Sequence, residues 1–230
     1  MLLETVANSS LRGSLSCAKR GPVAMHVIQN VRNVIRGVMV VWGSTKIRKH
    51  LWNREFAKGR WNCLDETPED CVYCYVEKYC KGGSILDLGC GSGNTGNELD
   101  VNKYQDYTGV DVSDVAIQKA MERTKRVGRC EKNHYFQSDI YTYLPRKKYD
   151  VILFRDSIYY IPQPRIDPTL DRYSNYLTEH GVFIVRIFDG ENHARVVSGI
   201  EHSFEIAEKY VSPNTKTSVI VFRPGLRRAI

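Results

Sequence analysis

The stretch at residues 83–99, GSILDLGCGSGNTGNEL, sets a carboxylate beside closely spaced glycines, a pairing suited to holding a nucleotide-like ligand. Ile85, Leu86 and Leu88 read as a buried strand, Gly89, Gly91, Gly93 and Gly96 break it into a tight turn, and the residues after them can open a helix. Glycine suits such a turn because a side chain would block both the bend and the approach of a ligand to the backbone. Asp87 stands two positions before the first glycine, where a carboxylate faces the cationic end of a ligand. A second acid, Asp111, lies 22 residues after Gly89 in the run YTGVDV, the spacing at which a carboxylate meets a ribose diol; capping the next helix is its plainer use. GSGNTG at 91–96 also fits a dinucleotide fingerprint, so the glycines alone leave the ligand open.

DLGCGSGNTG, residues 87–96, resembles motif I of the class I S-adenosylmethionine-dependent methyltransferases: an acid, any residue, then Gly-x-Gly-x-Gly, filled by Asp87, Gly89, Gly91 and Gly93. Cys90 inside the motif and Val112 after the second acid join these as expected cofactor contacts. The resemblance implies that an acid closing a third strand receives the adenine amino group and that the next apolar residue packs on the ring. Asp139 and Ile140, after HYFQSD, take those places. RDSIYYI, residues 155–161, is similar to the segment after strand four in methyltransferases of the nodulation N-methyltransferase type, where an acid ahead of apolar residues and two tyrosines faces cofactor and substrate. That resemblance makes Asp156 and Tyr159 expected catalytic residues; His193, just after strand five, is a further catalytic candidate, Tyr160 a lining residue, and Arg155 an expected cofactor contact. Arg155 and Ser157 depart from the residues usual there. WNREFAKGRW, residues 52–61, is similar to the N-terminal lid of many small-molecule methyltransferases, which puts Trp61 and Arg60 near the methionine end; plain core packing is the alternative.

The chemistry implied is attack by a substrate nucleophile on a sulfonium methyl group. The reagent is already activated, so alignment and exclusion of water dominate, and alignment contributes about 7–11 kcal/mol. A hydroxyl acceptor needs a general base; an amine need only present its lone pair, which a carboxylate such as Asp156 can orient. The expected activity is S-adenosylmethionine-dependent methyl transfer to N or O of a small molecule, such as a sugar, glycan or metabolite. Two other classes remain in view: an RNA or protein methyltransferase docking through a basic arm, and a non-catalytic cofactor-binding protein. Against nucleic acid, no base-stacking module and no Asn/Asp-Pro-Pro-Tyr segment is visible.

The elements that must position these residues read as an α/β chain: a doubly wound, seven-stranded, mostly parallel sheet with an antiparallel C-terminal strand, plus an N-terminal helical extension. Three regions are expected: a disordered or targeting segment at 1–21, a basic helical arm and lid at 22–62, and a Rossmann-like methyltransferase domain at 63–230. Residues 1–60 carry 11 of the 33 Lys and Arg but 2 of the 26 Asp and Glu, so the positive charge of the chain belongs to its arm. Valines at 27, 31, 34, 38 and 41 recur at helical spacing. That helix packs on its own domain or a second copy of the chain, as in a homodimer, or, through residues 22–49, lies on an anionic membrane.

A capped helix is expected over 44–58, one starting at Thr67 with Val72, Tyr75, Val76 and Tyr79 inward, and one starting at 167–168 and stopped by Gly181. Two closing strands are expected at 204–210 and 216–223. Seven cysteines fit reduced thiols in a cytoplasmic protein, and Cys63, Cys71, Cys74 and Cys80 read as small buried thiols, with no metal expected.

Overall fold

The computed structural model describes residues 37–62, 67 and 69–225. The segment 1–21, most of the valine-rich helix, Cys63 and Pro68 lie outside the described residues. Residues 38–42 are helical, and Val38–Ile230 forms one compact unit.

Continuous apolar runs make the central strands, because a parallel sheet covered on both faces offers no wet side. β1 (Ser84–Leu88) is buried along its whole length, and β4 (Tyr149–Arg155) along most of it. β2 (Asp106–Asp111) and β3 (Asn133–Gln137) pair in parallel on one side of β1. β4 and β5 (Leu177–Ile187) extend the sheet on the other. β7 (Ser218–Arg223) runs antiparallel between β5 and β6 (Glu205–Val211), giving the order β3-β2-β1-β4-β5-β7-β6. The expected seven-stranded sheet is therefore present. Its strand order reverses between β1 and β4, where an open α/β sheet leaves a crevice at the strand ends.

Alternate residues of each strand feed two cores. Leu86, Leu88, Ile152 and Phe154 pack with α5 (Gln163–Ser174) and α6 (Ala194–Ser203). Ile85, Tyr107, Val151 and Leu153 pack with α2 (Val72–Cys80) and α4 (Asp114–Arg126). α4 is capped by Ser113, whose Oγ accepts from the Ala116 N–H at 3.1 Å. α1 (Thr45–Ala57) is capped by Ser44 and is followed by Gly59 at φ 66°. A short helix, α3 (Asn94–Glu98), follows the glycine turn.

Four expectations are corrected. Thr67 does not cap α2: its N–H donates to the Glu98 carboxylate, and Asp70 Oδ1 accepts from the Val72 N–H instead. The buried face of α2 is Val72, Tyr73, Val76 and Cys80, while the Tyr79 hydroxyl donates to Glu208 at 2.8 Å. α5 starts at Gln163, with Pro164 in its first turn and Pro168 inside it. Gly181 lies within β5 at an irregularity in the pairing with β4, where a Cβ would stand 2.9 Å from the Tyr149 carbonyl oxygen. It is a strand irregularity and not a helix stop. A further correction concerns the thiols expected to be buried: Cys80 is buried, Cys71 is half-buried and Cys74 is exposed, because only Cys80 of the three lies on the inward face of α2. α6, which carries Val196, Val197 and Ile200 inward, was not anticipated from sequence. Among the described residues no helix is long and apolar enough to cross a membrane.

Gly93 heads α3 at φ 75°, and a Cβ there would stand 2.7 Å from Ala120 Cβ and 2.9 Å from the Tyr135 hydroxyl. Left-handed strain and overpacking add, so Gly93→Ala is expected to lower unfolding free energy by about 2–4 kcal/mol, read by urea denaturation.

Candidate active site

The cavity at the β1/β4 reversal is built by strand tips on its floor and α1 on its roof. At the tip of β1, Gly89, Gly91 and Gly93 all have positive φ. A Cβ at Gly89 would fall 2.4 Å from Ser157 Cβ, and Ser157 Oγ donates to the Leu88 carbonyl oxygen. That tie explains why a hydroxyl stands at 157: it pins the segment after β4 against the glycine turn.

Asp87 is 1% exposed; its Oδ2 accepts from the Tyr107 hydroxyl at 2.5 Å, and its Oδ1 is buried without a hydrogen-bond partner. Asp111 accepts from the Gly91 N–H at 3.0 Å and from the Ser113 N–H at 2.8 Å. Burial raises both carboxyls to about 6, against the hydrogen bonds that favour their ionised forms. Asp139, 4% exposed, accepts from Thr45 Oγ1 at 2.6 Å and pairs with Arg48, so α1 reaches across the cavity to the third carboxylate. Further ties hold α1 down: Lys49 to Asp114 at 3.0 Å, Ser113 Oγ to Asn53 at 2.7 Å, and Lys119 Nζ to the Phe56 carbonyl at 2.8 Å.

Aromatic rings complete the roof. Trp52 meets Tyr160 edge-on at 4.9 Å and Trp61 at 5.8 Å, and Phe56 lies 3.4 Å from where a Gly91 Cβ would be.

Of the residues expected to contact cofactor, Asp87, Gly89, Cys90, Gly91, Asp111, Val112, Asp139, Ile140, Arg155 and Trp61 border this one cavity. Gly93 does not: it serves packing against α4. Arg155 borders it, but its guanidinium is committed to Asp70 at 2.6 Å and Thr67 Oγ1 at 2.9 Å and lies over the Tyr73 ring. Asp156 and Tyr159 border the cavity as well. Asp156 sits at φ 54°, a conformation few non-glycine residues adopt, with Oδ2 paired to Arg186 and Oδ1 buried without a partner. His193 borders a neighbouring cavity, with its ring stacked on Tyr159 at 4.1 Å. Burial lowers its pKa.

Sequence reasoning missed Thr45, Arg48, Asp70 and Arg186. Each acts on a residue far along the chain, 85 positions in the case of Asp70 and Arg155, and no local pattern marks such pairs.

Buried polar atoms without partners are rare in folded chains and call for an explanation. Five lack a hydrogen bond among the described side chains: Trp61 Nε1, Asp87 Oδ1, Tyr141 Oη, Asp156 Oδ1 and Arg186 Nε, the last still in ion-pair contact with Asp70 at 3.3 Å. The first four belong to residues that border the cavity. Together with the glycine cradle they fit a polar, cation-bearing ligand.

The methyltransferase-domain family profile matches residues 80–218, more than half of the chain. The chain belongs to this family. It is an S-adenosylmethionine-dependent methyltransferase with a Rossmann-like fold, and S-adenosylmethionine is its cofactor. A malonyl-[acyl-carrier protein] O-methyltransferase of Ilyobacter polytropus is 22% identical over an alignment of 174 positions that covers 72% of this chain and 66%, just under two thirds, of that protein. The N-methyltransferase NodS of Bradyrhizobium japonicum, solved with S-adenosylhomocysteine, superposes with a TM-score of 0.60 at 17% identity, over 76% of this chain and 97% of that one. Magnesium protoporphyrin IX methyltransferase of Synechocystis, solved with S-adenosylmethionine, superposes with a TM-score of 0.54 at 15% identity, over 84% and 96%.

The raised carboxyls of this methyltransferase fix a pH dependence of the ligand-free fold. Asp87 and Asp111 titrate near 6 when folded and near 4 when unfolded, so the unfolded chain loses these protons first. Their contribution to stability is present below pH 4 and is lost as pH rises through 6, about 2–3 kcal/mol for each carboxyl. Asp87→Asn and Asp111→Asn are each expected to flatten the fall between pH 4 and 6 in denaturation midpoints measured without cofactor.

Proposed function

We propose that this methyltransferase acts on N or O of a small molecule, and that Asp87, Asp111, Asp139 and Trp61 hold the cofactor. The observation that carries the reading is the roof: α1 is tied to the strand tips by Arg48, Lys49 and Asn53 and closes the cavity with Trp52, Phe56 and Trp61. S-adenosylmethionine supplies an activated methyl group on a sulfonium. The residues of the chain supply the rest. Asp87 Oδ1 offers a buried acceptor to a cationic amino group, Asp111 a carboxylate to a diol, and the glycine turn a backbone without side chains in the way. α1 excludes water. Asp156 faces the substrate and orients the acceptor.

The neighbouring cavity shares Tyr159 and Ile161 with the first and is edged by Gln163, Glu191, Asn192 and His193. It gives an acceptor room to extend outward. RNA docking draws less support: Arg48, Lys49 and Arg60, three cations of the basic arm, pair with Asp139, Asp114 and Glu55 of the same chain. The same pairs weigh against a membrane surface as the partner of residues 46–49.

Incubation of a cell extract with methyl-labelled S-adenosylmethionine and the protein tests this. Label is expected in the low-molecular-mass fraction; label retained with RNA or protein and released by nuclease or protease would refute it. Trp52→Ala, which removes the centre of the roof, is expected to cut turnover about tenfold while the fold by circular dichroism is kept.

A further inference from the structure

The charges around the cavity close into pairs in a way that bears on the acceptor. Arg48 and Arg155 are the cations of its lining. Arg48 is taken by Asp139, and Arg155 by Asp70. Behind them Arg186 bridges Asp70, at 3.3 Å, and Asp156. Two acids and two arginines thus neutralise one another in the network of Asp70, Arg155, Asp156 and Arg186. Among the described residues no cavity cation is left to receive a carboxylate or phosphate.

Acceptor atoms, by contrast, are left over. Asp87 and Asp111 have no ion pair among the described residues, and Asp87 Oδ1 and Asp156 Oδ1 are buried without a well-aligned hydrogen bond, although the Thr95 hydroxyl lies near the first carboxylate and the Tyr159 hydroxyl and Phe188 N–H lie near the second. Asp87 is accounted for by the cofactor in the reading proposed above; Asp156 is not. Tyr159 stands beside it, and the cavity walls also include the rings of Trp52, Trp61 and Tyr160; aromatic faces favour a cation.

We infer that the methyl acceptor is an amine, set against Asp156 Oδ1 in this aromatic-walled cavity, and that anionic acceptors are rejected. This rests on the small-molecule methyltransferase reading and names its substrate class. In the transfer the amine lone pair forms the N–C bond while the electron pair of the C–S bond returns to sulfur. Positive charge therefore passes from sulfur to nitrogen, and Asp156 stabilises it where it arrives. A carboxylate acceptor ends as a neutral ester, gains nothing from Asp156, and enters against it.

The test is binding to protein loaded with S-adenosylhomocysteine, followed by NMR titration with three matched probes: 2-phenylethylamine, 2-phenylethanol and phenylacetate. The amine is expected to bind about tenfold more tightly than phenylacetate and more tightly than the alcohol. In Asp156→Asn its advantage over the alcohol is expected to vanish while S-adenosylhomocysteine affinity stays within about twofold. Asparagine tolerates the positive φ at this position, and the wild-type comparison needs no variant. Absence of amine binding, phenylacetate binding as tightly as the amine, or an amine preference that survives in Asp156→Asn overturns the inference alone. Wild-type protein that takes up no S-adenosylhomocysteine removes the methyltransferase reading, and the inference with it.

Discussion

Two carboxylates buried beside each other at the strand tips, Asp87 and Asp111, with no cation of the described chain paired to them, are the constraint around which this molecule is arranged. Burying an ionised group without a counter-charge is costly, and the chain meets that cost only in part. Tyr107 donates to one acid and backbone N–H groups donate to the other. What the hydrogen bonds leave undone shows as carboxyls that titrate near 6. In the function proposed here, a ligand that brings a cationic amino group to Asp87 and a diol to Asp111 completes them.

The surrounding architecture serves this pair. The strand-order reversal opens the crevice, and the glycine turn removes side chains from its floor. Ser157 fastens the segment after β4 to that turn, so the β4 tip and the β1 tip move as one body. α1 then covers the site through Arg48 and Thr45 on Asp139. The Asp70, Arg155, Asp156 and Arg186 network does the same on the far side, tying α2, β4 and β5 together while holding Asp156 at a strained φ. Strain of this kind persists where the surroundings over-determine it.

Much of this was legible in the sequence for a physical reason: buried parallel strands read as continuous apolar runs, and glycines with an acid two positions ahead mark a turn that must stay bare. Asp87 and Asp111 follow from that pattern and spacing, Asp139 from the family resemblance, and all three border one cavity. Other features were not legible. Pro168 read as a helix start because proline favours first turns, yet α5 begins at Gln163 with another proline already there. Arg155 borders the cavity as its place after β4 suggests, yet its guanidinium is held by Asp70, and only the packing of α2 on β4 brings those two together. His193 missed the main cavity because the short stretch after β5 turns it onto Tyr159 instead. Ion pairs across 30 to 91 residues leave no periodic trace, and so the charge network behind the cavity was hidden while the glycine turn at its floor was plain.

The central claim is that a cationic cofactor completes the ionisation of Asp87 and Asp111. Calorimetric titration of the protein with S-adenosylmethionine at pH 6, in two buffers of different ionisation enthalpy, measures the protons exchanged on binding. With both carboxyls half protonated beforehand, binding is predicted to release about one proton per site. Binding with no release, or with net uptake, would contradict the account.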